Sequence, residues 1–296
     1  MTAPRMHENE VDIDEHLVGR LLDAQFPEWA ELPVAAVPSA GTVNAIYRLG
    51  EELCVRLPRV RGWSGHLQRE LEWLPRLAPR LSLDIPEPVA AGDPGCGYPF
   101  PWAVYRWIDG TPFTTDGSID ERRAARDLAG FVAELRRVDP SGAPSTGRRP
   151  LAELDEVTRA AVDTLRGIVD TERVTAAWDV ALTAPTWDGP PVWRHCDLLP
   201  PNLLVADGRL RAVIDFGGVG IGDPAHDVIA AWSVFGAEGR SAYRDALDVD
   251  GGTWARARAV ALHQALLIIP YYPETNPAFV DMAMRTVEQV LADCDR

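Results

Sequence analysis

The stretch from residue 195 to residue 217 constrains the fold of this chain more than any other part of its sequence. His195, Asp197 and Asn202 lie together in HCDLLPPN, and Asp215 begins an Asp-Phe-Gly triplet 13 residues after Asn202. Two short apolar runs flank an Asp-Gly turn between these two parts, which is a pattern typical of a β-hairpin. A hairpin here would bring the two ends of the stretch together.

These residue types suit phosphoryl transfer. That reaction needs a carboxylate to orient a hydroxyl group and accept its proton, together with divalent ions on the donor phosphates. Asp197 could be the base, while Asn202 and Asp215 offer the hard oxygen ligands that magnesium prefers. Taken singly, each residue also has a structural interpretation: a turn residue, a core histidine or the end of a strand. Their combination favours the kinase interpretation.

All 29 basic residues are arginines, and the chain contains no lysine. The Walker-A lysine of a P-loop and every Schiff-base mechanism are therefore excluded. Codon bias is the simplest cause, but the exclusion holds whatever the cause. Any cation that this chain places on a phosphate must be arginine, histidine or a metal ion.

The segment resembles the aminoglycoside phosphotransferase family, which shares its fold with choline kinases and protein kinases. Members typically show HGDLHPGN, a strand hairpin, IDF or IDW, and then GDPxxD. This chain has HCDLLPPN, VIDFG and GDPAHD in that order. The resemblance implies that Asp197 is the catalytic base, that His195 supports the catalytic loop, and that Asn202 and Asp215 hold Mg²⁺. It also implies that Asp227 ties the following helix to that loop, although a plain carboxylate at a helix N-terminus is an alternative.

The resemblance implies an α+β, protein-kinase-like fold with two lobes. We expect a small antiparallel-sheet lobe that binds nucleotide at 1–108 and a larger, mainly helical lobe at 109–296 that carries the catalytic loop and the acceptor site. Three positions depart from the family pattern: Cys196 and Pro201 replace glycine, and Leu199 replaces histidine. Because proline removes a backbone donor, these departures put the path of the loop in question.

A kinase fold also needs a cation on its third strand, held by a helix glutamate. Leu53, Val55 and Leu57 alternate onto one face of a short strand, which leaves Arg56 on the other face. We therefore predict that Arg56 grips the α- and β-phosphates. Glu70 and Glu72 on the next helix are both available as its partner, and the resemblance to the family pattern favours Glu70. A surface arginine on a strand is the alternative.

The remaining nucleotide contacts are predicted from position in the chain. Ser39 and Gly41 belong to the stretch expected to cover the phosphates, and backbone groups near Arg106 and Ile108 are expected to bind the purine edge. Because those purine contacts come from the backbone, the sequence does not distinguish ATP from GTP. Tyr105 and Trp107 are interpreted as packing residues.

Apolar periodicity predicts the other elements. Strands are expected at 32–37, 45–49, 53–57, 86–91 and 102–108. Helices are expected at 16–26, from 64 to about 77, from 118 to about 138, in one or two pieces over 151–182, and at 224–235, 253–269 and 277–293.

The sequence thus predicts an Mg²⁺-dependent transfer of the γ-phosphate of ATP or GTP to a hydroxyl of a small molecule, with an antibiotic as the favoured acceptor. The net charge of −15 leans toward a cationic antibiotic and argues against nucleic acid or an anionic membrane as a partner. The polar start of the sequence and its scattered cysteines predict a cytoplasmic protein. We expect it to be a monomer or a homodimer.

Three alternatives remain open. A pseudokinase would bind nucleotide or a small molecule without turnover, as the altered catalytic loop could suggest. A kinase of a metabolite, such as an amino alcohol or a sugar, would use the same chemistry. A metal-dependent hydrolase built on His195, Asp197, Asp215 and Asp223 would need further histidine ligands, but no HxH or HxxxH spacing occurs.

Overall fold

A computed structural model of the chain describes residues 10–37, 43–146 and 149–295. The chain divides into two compact units. Unit 1 comprises residues up to Pro79, Asp84–Asp109 and Ile214–Gly217, and unit 2 comprises Arg80–Leu83, Gly110–Val213 and Gly218–Arg296. Each unit has its own secondary structure.

Unit 1 is a five-stranded antiparallel sheet with two helices. In chain order its elements are α1 (Glu15–Gln25), β1 (Val34–Ala36), β2 (Asn44–Leu49), β3 (Leu53–Pro58), α2 (Ser64–Leu77), β4 (Pro88–Gly92) and β5 (Trp102–Arg106). The strand order is β1-β2-β3-β5-β4. Side chains that alternate along β2 and β3 pack with α1 in one buried cluster, which leaves Arg56 on the opposite face of the sheet.

Unit 2 is mainly helical and also contains short strands. Its elements are β6 (Thr111–Pro112), α3 (Glu121–Arg136), α4 (Leu151–Thr164), α5 (Thr171–Ala181), β7 (Val192–Arg194), β8 (Leu203–Ala206), β9 (Arg209–Val213), β10 (Gly220–Gly222), α6 (Ala225–Val228), α7 (Ala230–Ser233), α8 (Ala237–Leu247), α9 (Gly251–Tyr271) and α10 (Pro277–Cys294). β8 and β9 form the expected hairpin, in which Leu203 pairs with Val213. β7 pairs with β10 in a separate two-stranded ribbon.

Several sequence predictions differ from the structure in their bounds. The helix expected from 118 begins at Glu121, because Asp120 rather than Ser118 is the N-cap and accepts the N–H of Arg123. The helix expected at 224–235 is two four-residue helices, α6 and α7. Helix α8 was not predicted from the sequence. The strands expected at 32–37 and 102–108 are shorter, at 34–36 and 102–106.

No helix in the described part of the chain is both long and apolar enough to cross a membrane. The apolar stretch in the middle of α9 is buried among other helices of unit 2 instead. Its helix begins where Asp250 accepts the N–H of Thr253, and it continues through Pro270 to Tyr271.

Candidate active site

The catalytic-loop sequence connects β7 to β8 within unit 2. The chain leaves β7 at Arg194 and passes through His195, and Pro200–Asn202 form a single 3-10 turn before β8 begins. Pro201 lies within the first positions of that turn, where no backbone N–H is required. The departure from the family pattern at Pro201 is therefore accommodated without the loss of a hydrogen bond.

Cys196 stands where the family pattern has glycine, and it adopts a backbone conformation that favours glycine. Its φ angle is 76°, in the left-handed region, and its side chain is buried. A non-glycine residue holds that conformation only where the surroundings impose it. Asp227 does so here, because its Oδ1 accepts the N–H of Cys196 at 2.8 Å.

Asp227 is the anchor of the loop. Its side chain is fully buried, and its second oxygen, Oδ2, accepts the N–H of His195 at 2.9 Å. Tyr243 in turn donates its hydroxyl proton to the backbone oxygen of Asp227 at 2.9 Å. The carboxylate thus joins α6 to two consecutive amides of the loop, as the resemblance implied.

We expect Asp227→Asn to destabilise the protein by about 2–3 kcal/mol, because the new amide group would present N–H to one of the two loop amides. Chemical denaturation would measure this change. Asp163→Asn is a matched control, since Asp163 is an exposed carboxylate that pairs with nearby Arg166. Equal stability of the Asp227 and Asp163 variants would contradict the anchoring role.

Asn202 orients the carboxylate of Asp197. The Asn202 side-chain amide donates to the Asp197 backbone oxygen at 2.9 Å and to Asp197 Oδ2 at 2.8 Å. The Asp197 N–H points to Nδ1 of buried His195 at 3.2 Å, so this ring nitrogen is the acceptor. Both hydrogen bonds from Asn202 to Asp197 are made by the Asn202 NH₂ group. The carbonyl oxygen of the Asn202 side chain therefore points away from Asp197.

Within unit 1, Arg56 joins two carboxylates. Its Nη1 donates to both oxygens of Glu70, at 2.9 and 2.8 Å, and its Nη2 donates to Asp215 Oδ1 at 3.1 Å. The contact that the sequence predicts between Arg56 and Glu70 is present. The contact between Arg56 and Asp215 was not predicted from the sequence.

Tyr105 also binds Glu70, although it was interpreted from the sequence only as a packing residue. Its hydroxyl donates to Glu70 Oε2 at 2.8 Å. Burial raises the pKa of Glu70, and Arg56 opposes that rise. Burial alone would lower the pKa of Arg56, but Glu70 and Asp215 raise it above its usual value. The alternation of side chains along the strands could have indicated this contact. Tyr105 pairs with Cys54, which lies on the same face of the sheet as Arg56.

Asp215 has a left-handed backbone with a φ of 66°. Aspartate tolerates this region better than most residues do. Its side chain is 29% exposed, and one oxygen is held by Arg56. A carboxylate in this state suits a hard cation such as magnesium, and the Asn202 carbonyl oxygen is of the same ligand class.

Some of the backbone groups expected to bind the purine edge already have hydrogen-bond partners. The N–H of Arg106 is bonded to the Glu87 oxygen at 2.9 Å, and the N–H of Trp107 to the Glu52 oxygen at 2.8 Å. Of the backbone groups predicted to bind the purine, the Arg106 carbonyl oxygen and the backbone of Ile108 therefore stay candidates. Ser39 and Gly41 lie outside the described residues.

The hydrolase alternative would use a cluster of metal ligands, and the described residues contain no group of three or more His, Cys, Asp or Glu side chains that could hold a metal ion. Asp223, one of its proposed ligands, has both oxygens bonded to Arg256, at 2.7 and 3.1 Å. Asp223 thus forms a partly buried ion pair with Arg256 in unit 2.

Buried Arg194 is a further residue that the sequence analysis missed. It immediately precedes His195, and its guanidinium group donates to the Thr146 oxygens at 2.6–2.9 Å and to the Asp223 backbone oxygen at 3.3 Å. Arg194 thus joins Thr146, in the connection between α3 and α4, to the start of the loop that contains His195 and Asp197.

Similarity to known proteins identifies the fold and the family of the chain. The wild-type aminoglycoside 2′-phosphotransferase-IIIa in its GDP complex has a similar fold, with a TM-score of 0.76 and 20% identity over 95% of this chain and all of that one. The macrolide 2′-phosphotransferase MphH from Brachybacterium faecium has a TM-score of 0.61 and 22% identity over 93% and 98% of the two chains. The fold is therefore protein-kinase-like, with a sheet-containing N-terminal lobe and a mainly helical C-terminal lobe.

Residues 34–260 match the phosphotransferase enzyme family known as APH. The chain belongs to this family. The uncharacterized protein YcbJ of Bacillus subtilis (strain 168) is 25% identical over 198 residues, which cover 61% of this chain and 62% of that protein. This chain thus matches less than two thirds of the length of that relative.

Proposed function

We propose that this protein transfers the γ-phosphoryl group of ATP or GTP to a hydroxyl group of a small molecule. The observation that carries the proposal is the loop carboxylate of Asp197. It is aimed by the Asn202 amide and held on a loop that Asp227 fixes through two backbone hydrogen bonds. A general base needs this kind of fixed orientation.

In the proposed reaction Asp197 accepts the proton of the acceptor hydroxyl. The acceptor oxygen forms a bond to the γ-phosphorus, and the bond from that phosphorus to the β–γ bridging oxygen breaks. The nucleoside diphosphate leaves with that bridging oxygen, and the proton remains on Asp197 until it passes to solvent. Arg56 would bind the donor phosphates and is held for this by Glu70.

Asn202 and Asp215 would hold magnesium, and both provide the hard oxygen ligands that it prefers. The bound ion would neutralise charge on the donor phosphates. Arg56 is the only protein cation that we assign to those phosphates, so it stands where a lysine commonly stands in kinases. We also propose a cytoplasmic location, where a nucleoside triphosphate donor is available.

We favour an antibiotic as the acceptor. Two similar structures are an aminoglycoside and a macrolide phosphotransferase. The net charge of −15 favours a cationic molecule of the first kind. We expect one small-molecule acceptor class and no role for nucleic acid or membrane.

The test is a nucleotide-consumption screen. Purified protein would be incubated with ATP or GTP, Mg²⁺, and a panel of aminoglycosides, macrolides, amino alcohols and sugars. Acceptor-dependent release of ADP or GDP, lost on chelation of the metal, would support the proposal. Activity with an amino alcohol or sugar alone would move the acceptor to the metabolite class. Nucleotide binding with no stimulation by any acceptor would favour the pseudokinase alternative.

A further inference from the structure

Two consecutive residues of helix α2 are linked to opposite ends of the Asp215–Gly217 triplet, one through Arg56 and the other directly. Glu70 reaches Asp215 through Arg56, which bonds both carboxylates. Arg69, the preceding residue, donates from Nη1 to the Gly217 backbone oxygen at 2.7 Å. All five residues belong to unit 1. The position of this helix is therefore linked to the backbone of the triplet as well as to its carboxylate.

A third residue of α2 packs on the same turn. A Cβ atom placed on Gly217 would lie 2.9 Å from His66 Nδ1 and 3.0 Å from His66 Cβ, closer than such atoms approach in proteins. Gly217 does not have a positive φ, so its backbone conformation alone does not require glycine. The close approach of His66 is what favours glycine at this position.

The triplet needs such support, because Asp215 is a non-glycine residue in the left-handed region. Such a conformation persists only when surrounding contacts impose it. Arg56 holds only the side chain of Asp215. Arg69 and His66 hold the backbone two residues further along, and so limit how the turn can rearrange.

We propose that Arg69 and His66 are positioning residues that latch the Asp215–Gly217 turn to α2, so that one helix sets Arg56 and Asp215 together. The proposal rests on the proposed function, in which Asp215 is a magnesium ligand. Neither residue touches the reacting groups. Their effect is on the readiness of Asp215 to bind the metal.

The test compares wild-type protein with Arg69→Met, Arg69→Lys and Arg76→Met. Arg76 is the matched control, because it lies on the same helix but is exposed and pairs with Glu72. Binding of ADP and GDP would be measured by calorimetry at a series of Mg²⁺ concentrations. Amide hydrogen exchange of the peptide covering residues 214–218 would be followed without nucleotide.

We expect Arg69→Met to raise the Mg²⁺ concentration for half-maximal nucleotide binding by about tenfold, the factor that corresponds to the loss of one charge-assisted hydrogen bond. Nucleotide affinity without metal should stay close to that of wild type, since Arg56 and Glu70 are retained. Exchange at 214–218 should accelerate in the same variant. Arg69→Lys should recover part of both effects, because an ammonium group can also donate to the Gly217 oxygen, and Arg76→Met should change neither.

An unchanged Mg²⁺ dependence in Arg69→Met would overturn the proposal, even if exchange accelerates, because the contact would then be only structural. If wild-type protein binds no nucleotide at all, the proposed function fails. The exchange comparison then decides separately whether Arg69 holds the turn.

A second pair of variants tests the contact with His66. Gly217→Ala should raise the Mg²⁺ requirement, because the new methyl group would displace the His66 ring. In Gly217→Ala combined with His66→Ala, the space is open, so the combined effect should be smaller than the product of the two single effects. A combined effect equal to or greater than that product would contradict the packing part of the latch.

Discussion

Asp197→Asn is expected to lower kcat for the acceptor-dependent reaction by about a thousandfold, within the range that a general base contributes. The asparagine has the same shape as aspartate, and its carbonyl oxygen can still accept the Asn202 hydrogen bond seen at 2.8 Å. The change therefore removes the basic group and leaves the loop in place. Steady-state kinetics with saturating nucleotide and acceptor would measure the effect.

The melting temperature and the affinity for nucleotide should change little in this variant. Asp207→Asn is a suitable control, because Asp207 lies on the exposed turn between β8 and β9 and asparagine tolerates its positive φ. If Asp197→Asn kept more than a tenth of the wild-type kcat, Asp197 would not be the base and the assignment of the loop would be wrong.

Arg56→Ala should lose both nucleotide use and stability. We expect kcat/KM for the nucleotide to fall by about a hundredfold or more, which is typical for removal of one group that stabilises developing charge. The free energy of unfolding should fall by about 3–5 kcal/mol at a pH where Glu70 is ionised, because this carboxylate, only 1% exposed, would have lost its charged partner. Activity assays and chemical denaturation would measure the two effects separately.

The loss of stability should depend on pH. Burial already raises the pKa of Glu70, and Arg56 opposes the rise, so its removal would raise this pKa further. A carboxyl group whose pKa is higher in the folded than in the unfolded protein favours the fold when it is protonated. The destabilisation of Arg56→Ala relative to wild type should therefore be small below the unfolded-state pKa of Glu70. It should grow as the pH rises toward the folded-state value.

Two further variants separate charge from function. Arg56→Met combined with Glu70→Gln removes both charges and leaves an acceptor for the Tyr105 hydroxyl, so stability should largely return while nucleotide use stays low. Arg56→Lys should keep part of the activity, since an ammonium group supplies charge without the planar fork of arginine. Full activity in Arg56→Ala would rule out the assignment of this cation to the donor phosphates.

The elements that the sequence predicted well have regular apolar spacing. The bounds predicted for α2 agree with the structure, because its leucines recur with helical periodicity and one face is buried. The face of β3 that carries Arg56 followed from the alternation of Leu53, Val55 and Leu57. Two glutamates of α2 were available as the partner of Arg56, and the sequence pattern of the family favoured Glu70 over Glu72.

Other elements have no such pattern. Helix α8 is mostly polar, and its buried side includes Tyr243 and Arg240, so its apolar periodicity is weak. The segment containing α6 and α7 is buried on all sides, so no periodicity marks the break between the two helices. Exact helix starts depend on which of several polar residues accepts the first free N–H, as at Asp120.

Within the candidate site, the sequence predicted residue types better than contacts. The motif identified Asp197, Asn202 and Asp215, because phosphoryl transfer limits which residue types can serve. It did not predict the contact between Arg56 and Asp215 or the one between Arg69 and Gly217, which are 159 and 148 residues apart in the chain. Contacts at that separation depend on tertiary packing, and no local pattern encodes them.

The most direct test of the proposed function is to identify the phosphorylated product. Each acceptor that stimulates nucleotide consumption would be recovered and analysed by mass spectrometry and ³¹P NMR, with wild-type protein and Asp197→Asn in parallel. We predict that the acceptor gains one phosphoryl group as a phosphate ester on a hydroxyl, in step with ADP or GDP release, and that the variant forms almost none. Release of inorganic phosphate with an unmodified acceptor, or equal product from the variant, would contradict the proposal.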